Sequence, residues 1–178
     1  SVVNEDTVDE LANGNLPQSF DQLYLYLQEY VKNSGYKDDI TVGMGKTYLY
    51  IRFQNNVFFD GDSAILKDDG KKVLNVISPA INSIQDKIMS LTVSGHTAVG
   101  QSNVNDWELS SSRASNVLNY LAEKDTVLEE KFKLKALGPY EPIASNETEE
   151  EKAKNRRVEL ILTKSDLDLT DLETLQEL

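Results

Sequence analysis

The 178-residue chain contains no cysteine, one histidine (His96), one tryptophan (Trp107) and four prolines. Without cysteine there can be no disulfide framework, no thiolate zinc site and no Cys nucleophile. A Ser–His–acid triad would have to use His96. The missing cysteines leave the redox compartment open, because a reduced envelope protein and a cytosolic one share this composition. No stretch approaches the ~18 apolar residues of a membrane span. No basic segment precedes an apolar one in the manner of a signal peptide. The chain starts at Ser1 rather than Met and is expected to be a processed form or an excised fragment.

Basic residues are absent from both ends. Residues 1–31 hold six acids and no base, and residues 165–178 hold five acids and no base. The stretch 32–164 carries the remaining 19 acids with all 18 bases. The net charge of −12 therefore sits on two arms around a nearly neutral body. Negative charge argues against binding a phosphate backbone, so no nucleic-acid partner is expected. It also disfavours docking on anionic lipid. The acidic ends read as solvated arms. With 39% hydrophobic and 27% charged residues, the chain suits one soluble domain with a core of its own.

Hydrophobic periodicity predicts the elements. Phe20, Leu23, Tyr24, Leu27, Tyr30 and Val31 recur at threes and fours, giving an amphipathic helix with Ser19 as N-cap and a stop at Asn33-Ser34-Gly35. Phe20, Leu23, Leu27 and Val31 need burial, so this helix is expected to pack on the body or on a second copy. Residues 47–53 alternate, with Leu49, Ile51 and Phe53 inward, as in a half-buried strand. Residues 57–66 read as a short apolar piece and a turn. A helix is expected from about Asp69 to Gln85, kinked or divided at Pro79.

Residues 88–94 read as a buried strand. Residues 107–123 give the strongest helix signal, opened by a capping-box-like Asn105-Asp106-Trp107-Glu108. Residues 131–137 alternate, with Phe132, Leu134 and Ala136 inward and three lysines outward. Residues 138–155 read as a polar connection and 157–163 as the last strand. Leucines every third residue in 166–178 suggest a short helix that frays alone. Strands alternating with helices imply a sheet with helices on one face.

Two segments concentrate polar chemistry. The first runs from Gly95-His96-Thr97-Ala98 to Asp106-Trp107-Glu108-Leu109-Ser110-Ser111-Ser112-Arg113-Ala114; the second is Lys154-Asn155-Arg156-Arg157-Val158-Glu159. Arg113 falls within the first two helical turns, three residues from Ser110, beside a strand-end loop. A guanidinium fixed at a cleft mouth suits a carboxylate. Asn155, Arg156 and Arg157 open the last strand and could add donors. The plainer readings are a solvated or ion-paired Arg113 and arginines that balance the acids of 147–151. They also include a structural His96 and packing tyrosines at 24, 26 and 30. Asp60, Asp62, Asp68 and Asp69 read as acids before a helix N-terminus rather than a hydrolytic pair, so no enzyme is expected.

Leu109-Ser110-x-x-Arg113-Ala114 and Asn155-Arg156-Arg157-Val158-Glu159 together resemble the OmpA-like family of peptidoglycan-binding domains over roughly 45–164. Gly95-His96-Thr97, Asp106-Trp107-Glu108-Leu109-Ser110, the Val57-Phe58-Phe59 stretch and the 138–146 loop make the likeness narrower. They look like the extracytoplasmic part of MotB-type flagellar stator subunits. The resemblance implies an α+β fold: an OmpA-like two-layer α/β sandwich, a mixed sheet of about four strands with helices on one face, and an N-terminal linker helix. It implies a lead-in and linker helix over 1–40, the binding domain over 41–164 and an acidic tail over 165–178.

The ligand implied is the peptide stem of peptidoglycan, held through a zwitterionic diaminopimelate centre without a cofactor or a metal. By resemblance the binding residues are Thr97, Asp106, Leu109, Ser110, Arg113, Asn155 and Arg156. The helix Arg, here Arg113, takes the carboxylate. The family Asp that takes the ammonium falls on Ala98, and the usual Asn is Asp106. A methyl group cannot pair with an ammonium, and a desolvated ammonium without a partner is costly. Three readings follow: Asp106 replaces the lost carboxylate; the domain binds weakly or takes a different stem; or it is a dimerising spacer.

Altered or weakened binding is the expectation. The implied partners are peptidoglycan, a second copy in a homodimer, and a MotA-type subunit through a membrane segment outside this chain. The implied location is the extracytoplasmic side of a bacterial inner or cytoplasmic membrane. An outer-membrane lipoprotein or porin is the alternative anchor.

Overall fold

A computed structural model describes residues 15–100, 104–124 and 129–165. Expectations for the 1–14 lead-in and for the 166–178 tail lie outside these residues. The elements run α1 (Phe20–Asn33), β1 (Ile40–Met44), β2 (Tyr48–Gln54), α2 (Asn55–Phe58), α3 (Asp68–Asn82), β3 (Ile88–His96), α4 (Asp106–Glu123), β4 (Phe132–Gly138), α5 (Glu149–Asn155) and β5 (Arg157–Lys164). The five strands form one mixed sheet in the order β1-β2-β5-β3-β4. All neighbours are antiparallel except β3 and β4, which run parallel and are joined through α4. A parallel pair needs such a crossover, because a tight turn can only reverse the chain.

Alternation decides which sheet face is covered. Leu49, Ile51 and Phe53 of β2, Leu91 and Val93 of β3, and Val158, Leu160 and Leu162 of β5 share one face with Leu23, Leu27, Val73, Ile77, Ile81, Val117 and Leu121 from the helices. The opposite face carries Tyr48, Tyr50 and Arg52 beside Glu159. Helix α1 belongs to the core: Phe20, Leu23 and Leu27 are buried. Burying one such leucine contributes about 1.5–3 kcal/mol. Its N-cap is Ser19, whose Oγ accepts from the Gln22 N–H at 3.1 Å.

The two-layer α+β class holds, and three details are corrected. The sheet has five strands rather than about four. The additional β1 is a short edge strand whose Gly43 faces the Tyr50 ring, where any Cβ would come within 2.3 Å of that ring. That glycine weakens the strand signal in the sequence. Pro79 does not divide α3, which runs from Asp68 through it to Asn82. Leu134 is 43% exposed, because β4 is an edge strand and no described residue covers it beyond the sheet edge.

At Gly95 the backbone of α4 lies directly on β3. A Cβ at Gly95 would lie 2.1 Å from the Ser110 carbonyl oxygen. The Ser110 hydroxyl accepts from the Gly138 N–H at 3.3 Å and donates to the Trp107 carbonyl at 3.3 Å. The Ser110 hydroxyl thus ties the helix to the end of β4, while its backbone carbonyl packs against the end of β3. Gly95→Ala is expected to force the helix off the strand and lower stability by about 1–3 kcal/mol or more, as overpacking does. A urea titration with an unchanged midpoint would contradict this.

Candidate functional site

The segment after β3, the first two turns of α4, α2 with the turn after it, and the end of the helix Glu149–Asn155 (α5) border a pocket of about 550 Å³. That volume lies within the ordinary range for small-ligand sites. Thr97 and Ala98 continue from β3, and Asp106, Leu109 and Arg113 come from one face of α4. Phe59, Asp60, Gly61 and Asp62 of the turn after α2 also line it, as does Arg156. The Asn55 N–H donates to the Arg156 carbonyl at 2.8 Å, which joins α2 to the residue before β5.

Asn105 starts α4 by accepting the Glu108 N–H at 3.1 Å. This cap sets the phase of the helix, so Asp106, Leu109 and Arg113 fall on the pocket side. Arg113 is 3% exposed. Its Nε donates to the Ser63 carbonyl at 3.0 Å and its Nη2 to the Gly61 carbonyl at 2.6 Å. The guanidinium lies 5.3 Å from the Phe59 ring centroid. The sequence suggested a guanidinium at a cleft mouth; the structure sets it in the pocket wall, because the 59–63 turn folds over it. Burial lowers its pKa to about 10, Asp62 opposes that and Arg156 adds to it. The group stays charged at neutral pH.

Five of the seven residues singled out from the sequence meet here: Thr97, Asp106, Leu109, Arg113 and Arg156. Arg156 also pairs with Glu149 at 3.3 Å, as the charge-balance reading anticipated. The structure does not bring Ser110 or Asn155 to the pocket. Ser110 is buried in the contact between α4 and β3. Asn155 is buried too, and its Oδ1 accepts the Ile143 and Ala144 N–H groups at 2.8 and 2.9 Å. Its Nδ2 donates to the Ala144 carbonyl at 3.0 Å and to Asn146 Oδ1 at 3.1 Å. Both are scaffold residues: Ser110 seats the helix and Asn155 shapes the loop beyond β4.

Sequence reasoning missed Phe59, whose ring backs Arg113, and the neighbouring Gly61 carbonyl. It also missed α5, which carries Ala153 to the pocket. The signal for α5 was present: Thr148-x-x-Glu151 is a capping pattern, and the Thr148 hydroxyl accepts the Glu151 N–H at 3.2 Å.

Behind the pocket, Glu159 accepts from Arg157 Nε at 2.7 Å and Arg52 Nε at 3.0 Å. Burial alone would raise the Glu159 pKa, but the two arginines outweigh it and hold the carboxyl below its usual range. His96 Nε2 lies 3.1 Å from Ser94 Oγ. His96 Nδ1 and the Thr97 hydroxyl are buried without a hydrogen-bond partner among the described residues. Of these two groups, Thr97 lines the pocket, where a ligand could satisfy its hydroxyl.

The OmpA family model matches residues 58–156. Motility protein B of Bacillus subtilis (strain 168) is 33% identical over 149 residues, covering 76% of this chain and 53% of that protein. The uncharacterized protein YtxE of the same organism is 29% identical over 150 residues, covering 82% and 60%. The chain thus spans little more than half the length of these relatives. A putative MotB-like protein from Desulfovibrio vulgaris superposes with a TM-score of 0.71 at 23% identity, covering 81% of this chain and 93% of that one. The cell wall anchor of the T6SS from Pseudomonas aeruginosa gives 0.68 at 22% identity, covering 78% and 97%. These two likenesses establish the shared fold.

The buried histidine makes stability pH-dependent. Burial, then the charge of Arg157, lowers the His96 pKa from 6.5 to about 4, against the opposing effect of Glu159. The unfolded chain therefore binds a proton between these values that the folded chain does not, and stability falls as pH drops through that window. Urea titrations at pH 7, 5.5 and 4.5 are expected to show this decline. His96→Gln should flatten it, and an equal slope in both proteins would refute the assignment to His96.

Proposed function

This chain belongs to the OmpA family, and on that premise we propose that it binds peptidoglycan non-covalently through the stem peptide. One observation carries the reading. A buried, rigidly held guanidinium borders a pocket that is also lined by Thr97, whose hydroxyl has no partner among the described residues, and by the acidic residues Asp60, Asp62 and Asp106. Such a lining suits a zwitterion, which needs a fixed cation and a carboxylate within one cavity.

Arg113 receives the ligand carboxylate. Two of its donors are committed to backbone carbonyls, so the fork loses little freedom when the others bind. Arg156 adds a second positive charge at the rim. Asp106 takes the ammonium that Ala98 cannot take. The altered position of that carboxylate accounts for altered or weakened affinity. The domain acts as an anchor rather than an enzyme, and turnover of purified cell wall would contradict this.

The likeness to Motility protein B supports a finer role. We place the chain in the extracytoplasmic part of a flagellar stator subunit, working as a homodimer beside a MotA-type partner. That role requires a membrane segment outside these 178 residues, since no helix among the described residues is long and apolar enough to cross a membrane. The residues upstream of Ser1 would separate a stator from a lipoprotein or porin: a single apolar helix against a lipidated cysteine or barrel strands.

Co-sedimentation with purified peptidoglycan tests the binding. The native chain is expected to pellet. Asp106→Asn and Arg113→Ala should each lower the affinity at least tenfold, since removing one partner of a desolvated charge pair costs about 2–5 kcal/mol. Asp106→Asn removes charge without changing size, so it separates loss of binding from loss of fold. If the native chain stays in solution and Ala98→Asp gains binding, the spacer or weak-binding reading prevails.

A further inference from the structure

Eleven large apolar side chains are well exposed among the described residues, and five of them lie in the loops after β3 and β4 or at the start of α4: Val99, Val104, Trp107, Tyr140 and Ile143. Two of these form a built feature. The Trp107 and Tyr140 rings stack with centroids 5.3 Å apart and planes 25° from parallel. They remain 53% and 70% exposed respectively. Water gains nothing from such rings, and clustered exposed apolar surface marks an interaction site.

Both rings stand on backbone that also holds the pocket. Trp107 follows the pocket residue Asp106 in the first turn of α4. Tyr140 lies two residues after Gly138, whose carbonyl accepts the Thr97 N–H at 3.0 Å. Gly138 has a φ of +53°, a left-handed turn that lets the chain leave β4 toward Trp107. The platform is therefore fixed in position relative to the stem pocket.

We propose that Trp107 and Tyr140 form a glycan subsite, which takes a pyranose ring of the peptidoglycan sugar strand while the pocket takes the stem. A pyranose presents C–H groups on its face and hydroxyls around its rim. The C–H face matches the negative π face of an aromatic ring. Each ring residue is followed in sequence by an exposed glutamate, Glu108 after Trp107 and Glu141 after Tyr140, and these carboxylates are acceptors for hydroxyl protons at the same end of the fold. In the cell wall a stem is covalently joined to a sugar. Three extended residues reach roughly 10 Å, so a stem seated against Asp106 brings its sugar to the adjoining ring. This inference rests on the stem-peptide reading and extends it to the glycan.

The test uses the 178-residue chain and two separate probes: peptide-free glycan strands released by an amidase, and a free diaminopimelate-containing stem peptide. Trp107 is the only tryptophan, so its emission reports on the platform directly. Glycan strands are expected to shift that emission saturably. Calorimetry should show Trp107→Ala and Tyr140→Ala weakening glycan binding roughly tenfold, with stem-peptide affinity within about twofold of the native value. Both side chains are exposed, so near-native melting temperatures should confirm that the variants fold.

Unchanged glycan affinity in both variants would overturn the proposal. So would a native chain whose emission ignores glycan strands while it binds the stem peptide, or one in which Trp107→Ala only abolishes self-association. Glycan binding through Trp107 without any stem-peptide binding would keep the subsite and reject the stem pocket. Loss of both would reject both.

Discussion

The contact between Gly95 and Ser110 positions everything else at the pocket end. The Ser110 carbonyl occupies the space where a side chain at position 95 would stand, so α4 lies directly on the β3 backbone. The Ser110 hydroxyl then takes the Gly138 N–H and secures the end of the neighbouring strand. Three residues further along α4, Arg113 reaches the 59–63 turn and is held by two carbonyls. In the turn before, Asp106 faces the pocket and Trp107 faces Tyr140. A larger residue at position 95 would shift these groups together, because they share one rigid helix.

Two adjacent arginines show how backbone geometry separates chemical roles. Arg156 ends α5 and borders the pocket, paired with Glu149. Arg157 opens β5 and is turned inward, where it binds Glu159 and the carbonyls of Asn155 and Glu141. One charge borders the cavity and the other is consumed by the scaffold. Glu159 is held between Arg157 and Arg52, so the buried carboxylate has the partners that burial demands. Burial, reinforced by the charge of Arg157 and opposed by that of Glu159, keeps His96 neutral near physiological pH.

Much of the fold was legible because its elements follow simple periods. The 3.6-residue pattern located α1 and α4, and their caps Ser19 and Asn105 are those expected. The two-residue alternation located β2 and β5 and assigned their buried faces correctly, and β3 was legible as a continuous buried run. It was less reliable for β4, since alternation indicates which side a residue faces but not whether anything covers it; Leu134 faces the helix side and is still exposed. Pro79 signals a kink or a division, and the division does not occur: the residue lies near the end of α3 and the helix continues to Asn82. Helix α5 went unread because its acidic run looked like solvated chain, although Thr148 marks its start.

The sequence by itself determined the class of fold, the family motifs and the helix phase that puts Asp106, Leu109 and Arg113 on one face. These depend on spacing within single elements, which local chain geometry imposes. Only the tertiary structure decided which of those residues border a cavity. Ser110 and Asn155 carry the same motif signal as Arg113, yet both are enclosed by packing from strands and loops distant in sequence. The meeting of Trp107 with Tyr140 is equally non-local, produced by the crossover that lays β4 parallel to β3. Periodicity records a direction from a helix or strand axis; the partner found in that direction depends on how the whole chain closes.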